Sequence, residues 1–140
     1  MADFEYKNVH VLLVDDEPFM IKLVDRLLKD LGVVLVTTAS DGADGLEKLA
    51  KMRASRHPVD IVVCDLEMPN MSGLEFVKEV RTGSTGVRPT LPIVVLTGHA
   101  EEETVHQALG LKISGYVVKP VSRNTLDKRL RSALAPAAKA

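Results

Sequence analysis

Residues 59–65, VDIVVCD, followed by residues 66–76, LEMPNMSGLEF, decide how the chain must fold. The first run is apolar and largely β-branched, so it reads as a short strand buried on both faces and ending in a carboxylate. A carboxylate at that place could be an ordinary helix cap. The next helix, however, carries its own start signal, because Ser72 and Glu75 have capping-box spacing ahead of Phe76, Val77 and Val80. Asp65 is left on a loop just past the strand, where open parallel α/β sheets place ligand chemistry.

Upstream, residues 9–14 (VHVLLV) predict a first strand that runs straight into Asp15, Asp16 and Glu17. Pro18 suits a helix's first turn, and Met20, Val24, Leu27, Leu28 and Leu31 recur at helical spacing up to a stop at Gly32. Residues 33–38 (VVLVTT) predict a second strand. Ser40 or Asp41 can then cap a helix carrying Ala43, Leu46, Leu49 and Ala50, which fades by Pro58.

Downstream, the helix begun at Ser72 runs to about Arg81, and residues 83–91 make a polar loop. Pro92 opens a fourth strand, IVVLT, ending at Thr97. Glu101, Glu102 and Glu103 then crowd the first turn of a helix, where the macrodipole favours negative charge. Residues 113–118, interrupted by Gly115, predict a fifth strand that delivers Lys119 and Pro120. A last helix, capped by Ser122, buries Leu126, Leu130 and Leu134 and turns Arg123, Lys128, Arg129 and Arg131 outward.

A chain of 140 residues fits one domain with a full core, and 46% hydrophobic with 26% charged residues is the balance of a soluble globular protein. With 18 basic against 19 acidic residues, the net charge of −1 supplies no field to draw nucleic acid or a membrane surface. No apolar run reaches the roughly 18 residues of a spanning helix, and the N-terminus lacks a signal pattern, so membrane insertion is not expected and a cytoplasmic location is. Cys64 is the only cysteine, set in an apolar strand, and reads as a buried, inert thiol.

Five strands alternating with five helices require right-handed crossovers, a parallel sheet and helices on both faces. Every strand's C-terminal end then lies on one rim, which gathers Asp15, Asp16, Asp65, Thr97 and Lys119 from strands far apart in sequence. Each has a bland reading alone: a helix cap, a β-branched strand residue, a solvated amine. Together they do not, because clustered carboxylates repel unless a cation joins them, and Mg²⁺ bridges carboxylates to phosphate oxygens.

At these residues the chain resembles the receiver domain of two-component response regulators. The likeness spans about Val9 to Leu134 and rests on the acidic pair in LLVDDE, on D-x-x-M-P-x-x-x-G as Asp65, Met68, Pro69 and Gly73, on Thr97, and on Tyr116 with Lys119-Pro120 at aromatic-x-x-Lys-Pro spacing. It implies an α/β fold, a flavodoxin-like doubly wound five-stranded parallel sheet of order 2-1-3-4-5 with five helices. We expect an N-terminal extension over residues 1–8, the receiver over 9–135 and a disordered tail over 136–140.

The resemblance implies that Asp65 takes a phosphoryl group from a sensor histidine kinase or histidine phosphotransfer protein. Asp15, Asp16, Asp65 and the Glu67 backbone carbonyl would hold Mg²⁺, and Lys119 would offset charge on the phosphoryl oxygens. Thr97 would bond a phosphoryl oxygen, Tyr116 would turn inward behind it, and a downstream protein target would read the changed surface. The Lys119-Pro120 peptide is expected to be cis. Glu67 and His99 stand where receivers set the phosphoryl lifetime, and residues 51–58 and 83–91 look longer than in compact receivers.

The chain ends with the receiver, so a stand-alone or excised domain is expected, a protein-interaction module rather than an enzyme. An aspartyl-phosphate phosphatase of the haloacid dehalogenase type is the alternative. It fits less well, since that family's nucleophile follows its first strand with a second Asp two residues on, the place Glu67 holds after Asp65. A nucleotide-binding module would need a glycine-rich first βα turn, and DDEPF has no glycine.

Overall fold

Five short apolar runs form the strands of one parallel sheet: β1 (His10–Val14), β2 (Leu35–Ala39), β3 (Ile61–Asp65), β4 (Ile93–Thr97) and β5 (Gly115–Val118). The helices α1 (Pro18–Leu31), α2 (Gly42–Met52), α3 (Gly73–Thr82), α4 (Glu103–Gly110) and α5 (Arg123–Leu134) alternate with them. The computed structural model describes residues 6–68, 71–83, 85–99 and 103–134. Residues 1–5, Pro69, Glu101, Glu102 and the expected tail over 136–140 lie outside the described residues.

The sheet order is β2-β1-β3-β4-β5, as expected. Alternate strand residues face opposite layers. Leu12, Val14, Val62, Cys64, Ile93 and Val95 pack under α2, α3 and α4. Val11, Leu13, Ile61, Val63, Val94 and Leu96 pack under α1 and α5. Burial on both faces is why these strands read as unbroken apolar runs. Fully burying Phe76 alone contributes roughly 2–3 kcal/mol. Among the described residues no helix is long and apolar enough to cross a membrane.

The local signals hold with instructive shifts. Pro18 starts α1, and Gly32, at φ +105°, ends it. That left-handed residue turns the Val33 N–H back onto the Leu28 carbonyl (3.0 Å). Val33 is thereby spent in closing α1, and β2 starts two residues later than expected, at Leu35. Asp41, not Ser40, caps α2, accepting the Asp44 N–H at 2.7 Å. Ala43 and Ala50 face solvent while Gly42 and Gly45 are buried. A side chain at Gly45 would meet the Phe76 ring at 2.9 Å, so α2 can approach α3 only along its glycine face. The Ser72–Glu75 capping box on α3 forms in both directions.

The predicted third and fifth strands begin late, at Ile61 and Gly115. Asp60 instead clasps His10, its N–H donating to the His10 carbonyl (2.9 Å) and its carboxylate accepting the His10 N–H (2.8 Å). Arg129 does not point fully outward. It lies half-buried on α5 beside Gly115, where the missing side chain leaves room for its stem. Tyr6 is 3% exposed and belongs to the α1–α5 layer, its hydroxyl donating to Asp127 Oδ1 at 2.7 Å. Arg81, at the end of α3, donates to the carbonyls of Pro89 (2.7 Å), Leu91 (2.8 Å), Leu111 (2.8 Å) and Lys112 (3.1 Å). It ties together the loops on either side of β4 and α4.

Candidate functional site

The order of the sheet puts the ends of β1 and β3 side by side at its switch point, where the two halves of the sheet diverge. Asp15 extends the β1 ladder by one bond, its N–H donating to the Ala39 carbonyl at 3.1 Å. Its Oδ1 accepts the Glu17 N–H at 2.9 Å, which aims the carboxylate across the rim. Asp65 is the last residue of β3 and is 3% exposed. The start of α3 packs directly on its backbone, because a side chain at Gly73 would strike the Asp65 carbonyl oxygen and Leu66 Cα. Gly73 is therefore what lets α3 begin so close to the strand end.

β4 delivers Thr97, fully buried, and the Thr97 carbonyl accepts the Lys119 N–H at 2.8 Å. The Lys119-Pro120 peptide is cis. Lys119 Nζ lies 2.9 Å from Asp65 Oδ1, and the Glu67 N–H donates to the same oxygen at 3.3 Å, so neither group engages Oδ2. Tyr116 is half-buried on β5 against the α2–α3–α4 layer. Glu67 and His99 are both exposed. The His99 backbone N–H donates to Thr97 Oγ1 at 3.0 Å.

Glu67 is more engaged than its sequence position suggested. Thr97 Oγ1 donates to Glu67 Oε2 at 2.7 Å, and the Gly98 N–H donates to Glu67 Oε1 at 3.0 Å. Gly98 went unnoticed in the sequence, since a backbone N–H belongs to nearly every residue and only the turn after β4 aims this one at the site.

Asp15, Asp16 and Asp65 can each offer a carboxylate oxygen within 4.8 Å of the others. Among the described residues, Asp15 Oδ2 is buried without a hydrogen-bond partner. Burial, followed by the charges of Asp65 and Asp16, pushes the Asp15 carboxyl up to about 6 against the Glu17 N–H and Lys119. Burial likewise raises Asp65, opposed chiefly by Lys119. Burial works against the Lys119 ammonium, but its Asp65 hydrogen bond and the charges of Asp65, Asp15 and Glu67 prevail and raise it. An orphaned buried oxygen and one lysine among several carboxylates leave a deficit of positive charge. Hard oxygen donors at this spacing fit Mg²⁺.

The family model for the response regulator receiver domain matches residues 11–131. The chain is 35% identical over 124 residues to chemotaxis protein CheY-3 of Vibrio cholerae, covering 89% of this chain and 90% of that protein. It is 33% identical over 135 residues to transcriptional regulatory protein GlrR of Escherichia coli, covering 96% of this chain but 28% of that protein. Among solved structures, chemotaxis protein CheY4 of Vibrio cholerae superposes with a TM-score of 0.78 at 36% identity, over 90% of this chain and 98% of that one. The receiver domain of a sensor histidine kinase from Pseudomonas aeruginosa, with a magnesium ion coordinated in its active site cleft, gives 0.77 at 25% identity, over 91% and 98%. The haloacid dehalogenase alternative gains no support from these likenesses. With its parallel 2-1-3-4-5 sheet and with acid, hydroxyl and amine gathered on one rim, the chain belongs to the response regulator receiver domain family.

Proposed function

We propose that Asp65 is the phosphoacceptor of this receiver. The observation that carries the reading is the 2.9 Å contact of Lys119 Nζ with Asp65 Oδ1 beside the Asp15 and Asp16 carboxylates. Lys119 holds one Asp65 oxygen and leaves Oδ2 to attack the phosphorus of a phosphohistidine. The new O–P bond forms as the P–N bond breaks, and the electron pair returns to the imidazole nitrogen, which takes up a proton. The chain's contribution is position and charge, as expected of a loose phosphoryl-transfer transition state.

Asp15, Asp16, Asp65 and the Glu67 carbonyl are the residues that would hold Mg²⁺. Bound there, the cation would neutralise charge on the phosphoryl oxygens. Thr97 then donates its hydroxyl proton to a phosphoryl oxygen. Tyr116 turns inward behind it, and a downstream protein reads the altered surface of α4, β5 and α5. The phosphoryl group biases an existing equilibrium between two surface states rather than building a new one. The phosphodonor is a sensor histidine kinase or histidine phosphotransfer protein, and we place the receiver, residues 9–135, in the cytoplasm as a switch rather than an enzyme.

Incubation with a small phosphodonor and Mg²⁺, followed by intact-protein mass spectrometry, tests the reading. The expected result is one phosphoryl group on wild type and none on Asp65→Asn, whose amide is nearly isosteric but a poor nucleophile. Equal phosphorylation of both proteins would move the acceptor elsewhere. Sustained turnover of an added phosphate ester would favour a phosphatase instead.

A further inference from the structure

We propose that the Glu67 carboxylate is a built-in competitor for the phosphoryl group, holding both donors that the end of β4 turns toward Asp65, so that phosphoryl acceptance requires Glu67 to let go. The inference rests on Asp65 being the phosphoacceptor. Glu67 stands two residues past Asp65, and its backbone N–H is tied to Asp65 Oδ1. Its side chain crosses from the β3 end to the β4 end and engages with both oxygens. Oε2 takes the Thr97 hydroxyl at 2.7 Å and Oε1 takes the Gly98 N–H at 3.0 Å.

Hydrogen counting makes this contact exclusive. A threonine hydroxyl has one proton, and a backbone amide has one. The Thr97 oxygen already accepts the His99 N–H at 3.0 Å, and Thr97 is fully buried while Glu67 is in place, so in this state its one hydroxyl proton goes to Glu67. Both donors are therefore committed to one anion. A carboxylate edge presents two oxygens to two neighbouring donors much as one edge of a phosphoryl group does, which is why the same pair can serve either.

The two anions cannot share the pair. An arriving phosphoryl group brings oxygens that need these protons and carries negative charge beside a carboxylate that already holds them. Glu67 is also able to leave. It is exposed, so rotating into solvent breaks two hydrogen bonds and opens no part of the core. The exchange of one anion for another on Thr97 and Gly98 makes Glu67 a gate on phosphoryl entry, separate from any effect it has on how long the group stays.

The test compares wild type, Glu67→Gln and Glu67→Ala, all of which keep the backbone carbonyl assigned to the metal. Initial rates of phosphorylation by a small phosphodonor, and affinity for beryllofluoride as a stable phosphoryl mimic, are measured with Mg²⁺ saturating for each protein. The alanine variant frees both donors and is expected to gain roughly tenfold in each measurement, on the scale of hydrogen bonds to a charged acceptor. Glutamine keeps one acceptor oxygen and no charge, and should fall between the other two. In the metal-free protein, the Gly98 amide resonance should shift upfield and exchange faster in Glu67→Ala, a readout independent of phosphorylation. Wild-type phosphorylation at Asp65 with no gain in either variant overturns the competitor role and leaves the phosphoacceptor assignment standing. Failure of wild type to be phosphorylated at Asp65 overturns that assignment itself.

Discussion

Replacing Asp15 by Asn should make the metal-free protein more stable at neutral pH while weakening its response to Mg²⁺. Asp15 is fully buried, and among the described residues its Oδ2 has no hydrogen-bond partner. Burial and the neighbouring carboxylates raise its carboxyl from 3.8 to about 6. The folded chain thus binds this proton more tightly than the unfolded chain. The stabilisation is complete below about pH 4 and is lost as pH rises through about 6, an integrated change of about 3 kcal/mol at 1.36 kcal/mol per pH unit. About 2 kcal/mol of it falls between pH 4.5 and 7.5. Burial raises Asp65 as well, so the two neighbouring carboxyls titrate as an interacting pair. The amide removes the titration, and its oxygen can still accept the Glu17 N–H. Urea unfolding of both proteins, free of divalent metal, at intervals from pH 4.5 to 7.5 reads the effect. The unfolding free energy of the variant minus that of wild type should grow by about 2 kcal/mol across that range. Saturating Mg²⁺ should then stabilise wild type more than the variant, since metal that binds only the folded state adds to its stability. A metal-free difference that stays flat with pH would refute the crowded-carboxylate account of the site.

Gly73→Ala would drive a methyl group into the Asp65 carbonyl and Leu66 Cα, and should cost about 1–3 kcal/mol in chemical denaturation while slowing phosphorylation through a displaced Asp65. Unchanged stability and rate would mean that α3 can shift freely. Arg81→Ala removes bonds to four loop carbonyls and should lose about 2–3 kcal/mol, with faster amide exchange in the loops flanking β4 and α4 and none in β1. An exchange pattern raised equally everywhere would refute a local clasp. Cys64 is buried, its thiol raised by burial and then by Asp65 and Asp15. Alkylation should proceed only as fast as the protein unfolds, and rapid labelling of the native state would contradict that packing.

Periodicity and turn chemistry carried most of this fold in the sequence, because both are local. The apolar core of VDIVVCD read as a strand buried on both faces, though its first two residues fall outside β3, Ser72 with Glu75 read as a helix start, and Pro18 with Gly32 as the two ends of one helix. Chain order then brought Asp15, Asp16, Asp65, Thr97 and Lys119 to one rim, since parallel strands must all end on the same side. Tertiary packing decided what depends on a neighbour. Gly42 and Gly45, rather than Ala43 and Ala50, lie on the inner face of α2 because Met71 at the first and Phe76 at the second leave no space for a side chain. Tyr6 enters the core because α5 offers Asp127 to its hydroxyl, and Arg129 is half-buried because Gly115 makes room for it. The hold of Glu67 on Thr97 and Gly98 joins residues thirty positions apart, through a backbone N–H that no residue type encodes. Only the closing of β3 against β4 brings them within a hydrogen bond.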